Sequence, residues 1–162
     1  GRPVGQSAGI ERQVAGLVAV EAIARRKADY ARLVDGRQSP REIAGMFTED
    51  GVWDGQERFG VVRGRDELFR YFDEVRAHVT WPCHNMVAPS IEVADDLVTA
   101  RAHWYLWMPC TIDGQALWLA GRYEDDLVRE ADGEWRFRRM LLHVETLTPY
   151  ARGWEAERFL GE

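Results

Sequence analysis

The stretch Trp118–Arg139, WLAGRYEDDLVREADGEWRFRR, decides the fold of this chain. It lies across two runs, 116–129 and 134–148, that are rich in β-branched and aromatic residues and are separated by the turn signal Asp132-Gly133. This pattern predicts two long antiparallel strands joined by a tight turn. Similar runs upstream predict three further strands, at 79–87, 90–93 and 97–108. We expect Pro109 to end the last of these, so the second half of the chain is a predicted sheet.

Helices and two short strands are predicted before this sheet. GVWDG at 51–55 and FGVVRG at 59–64 are short strand candidates flanked by glycine. Apolar residues recur mostly at helical intervals from Ile10 to Leu33, which predicts an amphipathic helix. A second helix is expected to begin at Ser39-Pro40, a capping serine and a first-turn proline, and a third to span 64–77. The predicted class is α+β, with three N-terminal helices packed on a curved, mostly antiparallel sheet.

Length and charge limit the class of protein. The 162 residues predict a flexible N-terminal arm over 1–8, one folded domain over 9–150 and a C-terminal extension over 151–162. A net charge of -6 argues against nucleic acid as a partner. No apolar run approaches the roughly 20 residues that span a bilayer, and no signal peptide is recognisable, so we expect a cytoplasmic protein with no membrane partner. Every cationic residue except Lys27 is arginine, which is typical of a GC-rich bacterial genome.

Two ionisable residues suggest an acid/base pair. Asp35 closes the first predicted helix, which carries Tyr30 one turn earlier, and His84 lies in the strand-like run TWPCHNMV. A carboxylate that accepts the imidazole N–H fixes its tautomer and raises its basicity, and a nearby phenol is able to hold a developing oxyanion. The pair favours proton abstraction from carbon. The alternative is a structural histidine whose ring is simply hydrogen-bonded.

Several motifs give the chain a family resemblance. FTEDGVWDG at 47–55, GRDEL at 64–68, HWYLW at 103–107 and the stretch Trp118–Arg139 resemble the SnoaL-like branch of the nuclear transport factor 2-like superfamily. The resemblance covers about 10–150. It implies a cone-shaped α+β barrel that encloses a pocket between sheet and helices. The branch includes lyases such as scytalone dehydratase, bile-acid 7α-dehydratase and hexachlorocyclohexane dehydrochlorinase.

The resemblance also implies roles for particular residues. These lyases need no cofactor and use an Asp-His pair, which falls here on Asp35 and His84, and the tyrosine of the dehydratases falls on Tyr30. A family arginine on the final strand corresponds to Arg138 or Arg139. The lyases are trimers built through the outer faces of their sheets, so the resemblance implies a homotrimer, with a dimer as the alternative.

Further residues are candidates for the substrate pocket. Tryptophans in or near strands fill a core but also suit a pocket for an aromatic or polycyclic ligand. His103 lies on the outer face if the more apolar alternate residues of its strand face the core, and His143 is also interpreted as a partner of Glu145. The pocket candidates are Trp53, Trp107, Trp118, His103, Arg139, His143, Phe47 and Met86.

No cofactor is expected. The acidic run Glu124-Asp125-Asp126 does not suit a metal, because neighbours on a strand point to opposite faces. The leading hypothesis is a lyase that eliminates water, formaldehyde or halide from a hydrophobic small molecule. A ketosteroid-type isomerase and a non-catalytic binding or assembly domain, like dioxygenase small subunits, stay open.

Overall fold

The structure, a computed structural model, describes residues 4–37 and 39–162. Its elements in chain order are α1 (Val4–Asp35), α2 (Pro40–Gly45), β1 (Phe47–Asp54), α3 (Gln56–Phe59), β2 (Val61–Arg63), α4 (Arg65–His78), β3 (Val79–Pro82), β4 (Asn85–Val93), β5 (Thr99–Ile112), β6 (Gln115–Arg129), β7 (Trp135–Pro149) and α5 (Gly153–Ala156). The strands form one sheet in the order β2-β1-β7-β6-β5-β3, and β4 also pairs with β5. Only the β1–β7 pairing is parallel among the pairs of described strands.

The core lies between the helices and one face of this sheet. Side chains alternate along β5 and β6, so that Trp104 and Tyr123 are buried while Tyr105 is exposed on the opposite face. Buried residues of α1, α2 and α4, among them Ile23, pack against the inner face. The predicted α+β class, with helices on one face of a curved, mostly antiparallel sheet, is confirmed.

A break in the sheet separates β3 from β4. Pro82 of β3 lies opposite Cys110 of β5, and Asn85 of β4 lies opposite Trp107, so the intervening residues have no partner strand on this side. Strand β5 continues past Pro109 to Ile112, and the prediction that Pro109 ends it was wrong. Pro109 is tolerated because it faces this break, where no ladder hydrogen bond from the neighbouring edge is needed.

The ends of the chain differ from the prediction in part. Helix α1 begins at Val4, so 4–8 is helical rather than an irregular arm, and 1–3 lies outside the described residues. The side chains over 5–9, GQSAG, are exposed and have no apolar periodicity, so the sequence does not indicate that this part of the chain is helical. At the other end, Phe159 forms a bridge with Leu147 of β7, which holds the C-terminal segment on the domain. No helix in the described part of the chain is long and apolar enough to cross a membrane.

Candidate active site

Asp35 and His84 meet where the end of α1 packs on the break between β3 and β4. His84 lies within the break, so its backbone N–H is not used by the sheet and donates instead to Asp35 Oδ2 at 2.8 Å. The other carboxylate oxygen, Oδ1, lies 2.6 Å from His84 Nδ1. One carboxylate therefore holds both the backbone and the ring of His84.

This contact fixes which ring nitrogen is available. An ionised carboxylate accepts hydrogen bonds and does not donate them, so Nδ1 of His84 carries the proton and Nε2 is the acceptor. The His84 side chain is 8% exposed and that of Asp35 is 27% exposed. The imidazole is thus shielded from water, whereas the carboxylate is partly accessible to water.

His84 lines a cavity of about 90 Å³ between the helices and the sheet. The lining is mainly aliphatic and aromatic, and in the described part of the chain no acidic, lysine or arginine side chain belongs to it. Besides His84, the polar groups are phenol hydroxyls and one indole N–H. The lining residues are Tyr30, Val34, Trp53, Phe59, Tyr71, Phe72, Val75, Val79, Pro82, His84, Leu106, Met108, Ile112, Leu119, Tyr123 and Leu142.

Tyr30 belongs to this cavity, as predicted from its place on the first helix. Its ring lies 6.3 Å from the His84 ring, centroid to centroid, in an edge-on arrangement. Burial raises the pKa of Tyr30 well above its ordinary value, and burial has the same effect on Tyr71 and Tyr123. The three phenols are therefore neutral hydrogen-bond donors at neutral pH.

Trp53 is the predicted pocket tryptophan that does line the cavity. It is 5% exposed, and its Nε1 has no hydrogen-bond partner among the described residues. A buried N–H without a partner is costly, so the Trp53 N–H is available to donate to an acceptor that enters the cavity.

The other two tryptophan predictions were wrong. Trp107 and Trp118 lie on the outer face of the sheet, where their rings stack at 4.9 Å. Neither lines the cavity. The reason is the strand alternation: Trp104 and Leu119 take the inward positions on β5 and β6, and their neighbours must point outward.

The predicted histidines and arginine of the pocket are also outside the cavity. His103 lies on the outer face of β5, with its ring 5.2 Å from that of Tyr105. His143 Nε2 lies 2.8 Å from Glu124 Oε2 across the β6–β7 pair, and not beside Glu145. Arg139 donates to Asp54 Oδ2 at 2.6 Å on the outer side of the sheet.

The geometry of the strands explains why these predicted pocket residues lie outside the cavity. The register shift on β6 between Asp126 and Leu127 leaves both Arg138 and Arg139 exposed, and Met140 takes the inward position on β7. Two more candidates, Phe47 and Met86, are also absent from the cavity wall. Phe47 is fully buried behind Tyr30, with ring centroids 6.5 Å apart, and Met86 is only partly buried on β4.

Sequence reasoning missed four residues at or near the site. Tyr71 and Tyr123 line the cavity, and behind Tyr123 a buried Lys27 Nζ lies 2.7 Å from Asp125 Oδ2. One feature of the sequence could have pointed to this pair, namely that Lys27 is the only lysine of the chain. Among the described residues no group of three or more His, Cys, Asp or Glu side chains is placed to hold a metal ion.

Helices packed over a curved sheet, with a pocket between the two, define the cone-shaped fold of the nuclear transport factor 2-like proteins. Residues 16–141 match the model of the SnoaL-like domain family. The chain belongs to this family, as its motifs indicated. None of the curated proteins compared with the chain matches it.

Solved structures show the same fold at low sequence identity. A candidate scytalone dehydratase from Novosphingobium aromaticivorans is 24% identical, with 93% of this chain and 98% of that chain covered and a TM-score of 0.75. The type 3 LinA hexachlorocyclohexane dehydrochlorinase from Novosphingobium barchaimii is 20% identical, with 86% and 94% covered and a TM-score of 0.75. A type 2 LinA hexachlorocyclohexane dehydrochlorinase is 20% identical, with 85% and 92% covered and a TM-score of 0.76.

Proposed function

We propose that this chain is a cofactor-independent lyase that acts on a hydrophobic aromatic or polycyclic small molecule. The observation that carries the proposal is His84 at the wall of an apolar cavity, with Nδ1 held 2.6 Å from Asp35. Nε2 is then the base. Asp35 orients the ring and stabilises the imidazolium that forms when Nε2 takes a proton.

The elimination uses the side chains of His84, Asp35 and Tyr30. For loss of water or halide, His84 removes a proton from carbon, the electrons of the C–H bond form a C=C bond, and the leaving group departs with its bonding electrons. When hydroxide leaves, it becomes water with the proton of the imidazolium, which it receives directly or through Tyr30, whose hydroxyl then regains its proton from the imidazolium. For loss of formaldehyde, His84 instead takes the proton of a hydroxymethyl O–H, whose electrons form the C=O bond of formaldehyde while the C–C bond breaks to give an enolate, and the imidazolium returns the proton to that enolate. General acid–base help of this kind supplies about 10² to 10⁴ in rate.

The cavity lining supports an uncharged substrate. Among the described residues, no acidic, lysine or arginine side chain lines the cavity to pair with a carboxylate or phosphate. The phenols of Tyr30, Tyr71 and Tyr123 offer neutral donors to a carbonyl or hydroxyl oxygen. The names of the similar proteins, a dehydratase and dehydrochlorinases, both describe eliminations. They support loss of water or halide as the first reactions to examine.

The test is a screen of substrates by mass change. Purified protein is incubated with β-hydroxyketones, hydroxymethyl ketones and halogenated rings, and products are followed by mass spectrometry for loss of water, formaldehyde or hydrogen halide. The proposal predicts one such loss with the wild type and none with the folded variant His84→Ala. A product of unchanged mass indicates an isomerase instead, and binding without turnover across the panel indicates a binding protein.

A further inference from the structure

The chain's single lysine forms an ion pair in the core. Lys27 Nζ lies 2.7 Å from Asp125 Oδ2, and both side chains are 0% exposed. Of the 21 lysine and arginine residues, all except Lys27 are arginine. A lysine at this one buried position suits a site that needs a compact cation rather than a planar one.

The ion pair lies directly behind two tyrosines of the cavity. Lys27 Nζ is 3.5 Å from the centroid of the Tyr123 ring and 5.3 Å from that of Tyr30. Lys27 itself does not line the cavity. The rings of Trp104 and Phe137 complete the enclosure, at 5.2 and 5.4 Å from Nζ. The ammonium therefore lies over the Tyr123 ring and near the Tyr30 ring without lining the cavity.

Each member of the pair belongs to the element that carries one of the tyrosines. Lys27 precedes Tyr30 by three residues, which places both on one face of α1. Asp125 follows Tyr123 by two residues, which places both on the inner face of β6. The ion pair thus ties α1 to β6 at the level where the two phenols meet the cavity.

Stability alone does not explain this pair. Burial lowers the pKa of Lys27 and raises that of Asp125, which shows that the surroundings disfavour both charges. Asp125 Oδ1 also has no hydrogen-bond partner among the described residues. Buried ion pairs are often no more stabilising than well-packed apolar residues of similar volume. Because the ion pair is not needed for the stability of the core, we look for its role in the neighbouring site.

We propose that Lys27 and Asp125 are positioning residues, which act on the reaction through the hydroxyls of Tyr30 and Tyr123. The pair fixes the two rings, and the ammonium over the Tyr123 ring strengthens its hydroxyl as a donor to a substrate oxygen that gains negative charge. This inference rests on the proposed lyase function.

The main test replaces both partners together. Lys27→Met/Asp125→Val removes both charges with little change in packing volume, and valine suits a strand position, so the Tm is expected to stay the same or rise. We expect kcat to fall about tenfold or more while KM changes little, since the loss is confined to the transition state. The matched control is Arg122→Met/Glu145→Leu, which removes an ion pair from the outer face and leaves kcat and KM unchanged.

A second comparison shows whether the pair acts through the phenols. In the background Tyr30→Phe/Tyr123→Phe, the double substitution at Lys27 and Asp125 is expected to cause no further loss of kcat. A further tenfold loss in this background contradicts the proposal, because the pair then acts elsewhere.

The remaining outcomes also decide the matter. A folded double variant with full kcat overturns the proposal while leaving the lyase function intact. If the apolar pair does not fold, Lys27→Gln/Asp125→Asn keeps a hydrogen bond without the charges and is measured in the same way. If neither folds, the pair is structural and the proposal is wrong. Wild-type protein that catalyses no elimination refutes the lyase function itself, which is a separate result.

Discussion

At the residue scale, Asp35 occupies a position that its own helix disfavours. It is the last residue of α1, where the partial negative charge of the helix C-terminus opposes a carboxylate by about 0.3 to 1 kcal/mol. Two hydrogen bonds from His84 offset this cost, at 2.6 Å from the ring and 2.8 Å from the backbone. Residues that break a local preference are expected at functional sites.

Tyr30→Phe tests the phenol at this scale. The ring stays in the core, so the Tm is expected to change little, while loss of the hydroxyl lowers kcat by about tenfold or more, as expected for one removed hydrogen-bond donor. Steady-state kinetics on the substrate found by the screen give the value. Full activity in this variant rules out a donor role for Tyr30.

The contact of Asp35 with His84 was predictable, and much of the pocket wall was not. The first followed from residue types placed at the end of a helix and in a strand-like run, together with the resemblance of the motifs to lyases that use an Asp-His pair. The wall depends on which alternate residues of β5 and β6 face inward, and Trp107 and Trp118 have the same character as Trp104. Which face of the sheet points inward depends on the side that the helices cover, and this cannot be predicted from a single sequence.

At the element scale, bulges and breaks shape the sheet around the cavity. The pairing of β6 with β7 shifts between Ala120 and Gly121, and a Cβ at Gly121 would lie 2.2 Å from the carbonyl oxygen of His143. The break between β3 and β4 supplies His84 with a free backbone N–H. The strands were predictable from composition, but breaks and bulges depend on register between strands, which is a tertiary property.

Gly121→Ala tests the bulge. The added methyl group clashes with backbone that has no room to move, so we expect the free energy of unfolding to fall by about 2 to 4 kcal/mol. The matched control is Gly16→Ala on α1, where a Cβ meets nothing within 4 Å. That change is expected to raise the free energy of unfolding by about 0.5 to 1 kcal/mol. Equal stability of the two variants in urea unfolding contradicts the description of the bulge.

At the scale of the whole molecule, we expect the phenols of buried Tyr30 and Tyr123 and of partly buried Tyr71 to limit stability at alkaline pH. The pKa values of Tyr30, Tyr71 and Tyr123 are raised in the folded state by burial. Their contribution is complete below the unfolded value of about 10 and is lost as pH rises above it, because only the unfolded chain releases the protons.

The loss has a measurable slope. Each phenol removes up to about 1.4 kcal/mol per pH unit, so the free energy of unfolding is expected to fall by up to about 4 kcal/mol per unit above pH 10. Tyrosinate absorbance followed together with circular dichroism checks this, and three of the five tyrosines are expected to ionise only as the chain unfolds. Ionisation of all five before any loss of structure contradicts it.

The outer face of the sheet leads to a proposal about assembly. Stacked Trp107 and Trp118, with Trp154 against Trp107 and Tyr150 against Trp118, form an aromatic cluster in which Trp154 is 56% exposed. We propose that the chain forms a homotrimer that covers this cluster, with a dimer as the alternative. Light scattering after size exclusion at micromolar concentration measures the mass. A mass near 18.6 kDa rejects both assemblies.

The central claim, that Asp35 holds His84 as the base of an elimination, is tested most directly by the kinetics of Asp35→Asn. The amide keeps the size of the side chain but removes the charge that stabilises the imidazolium. We expect kcat to fall by about 10² to 10³, with KM and Tm nearly unchanged. A folded variant whose kcat stays within about twofold of the wild type contradicts the account, because the base then works without its carboxylate.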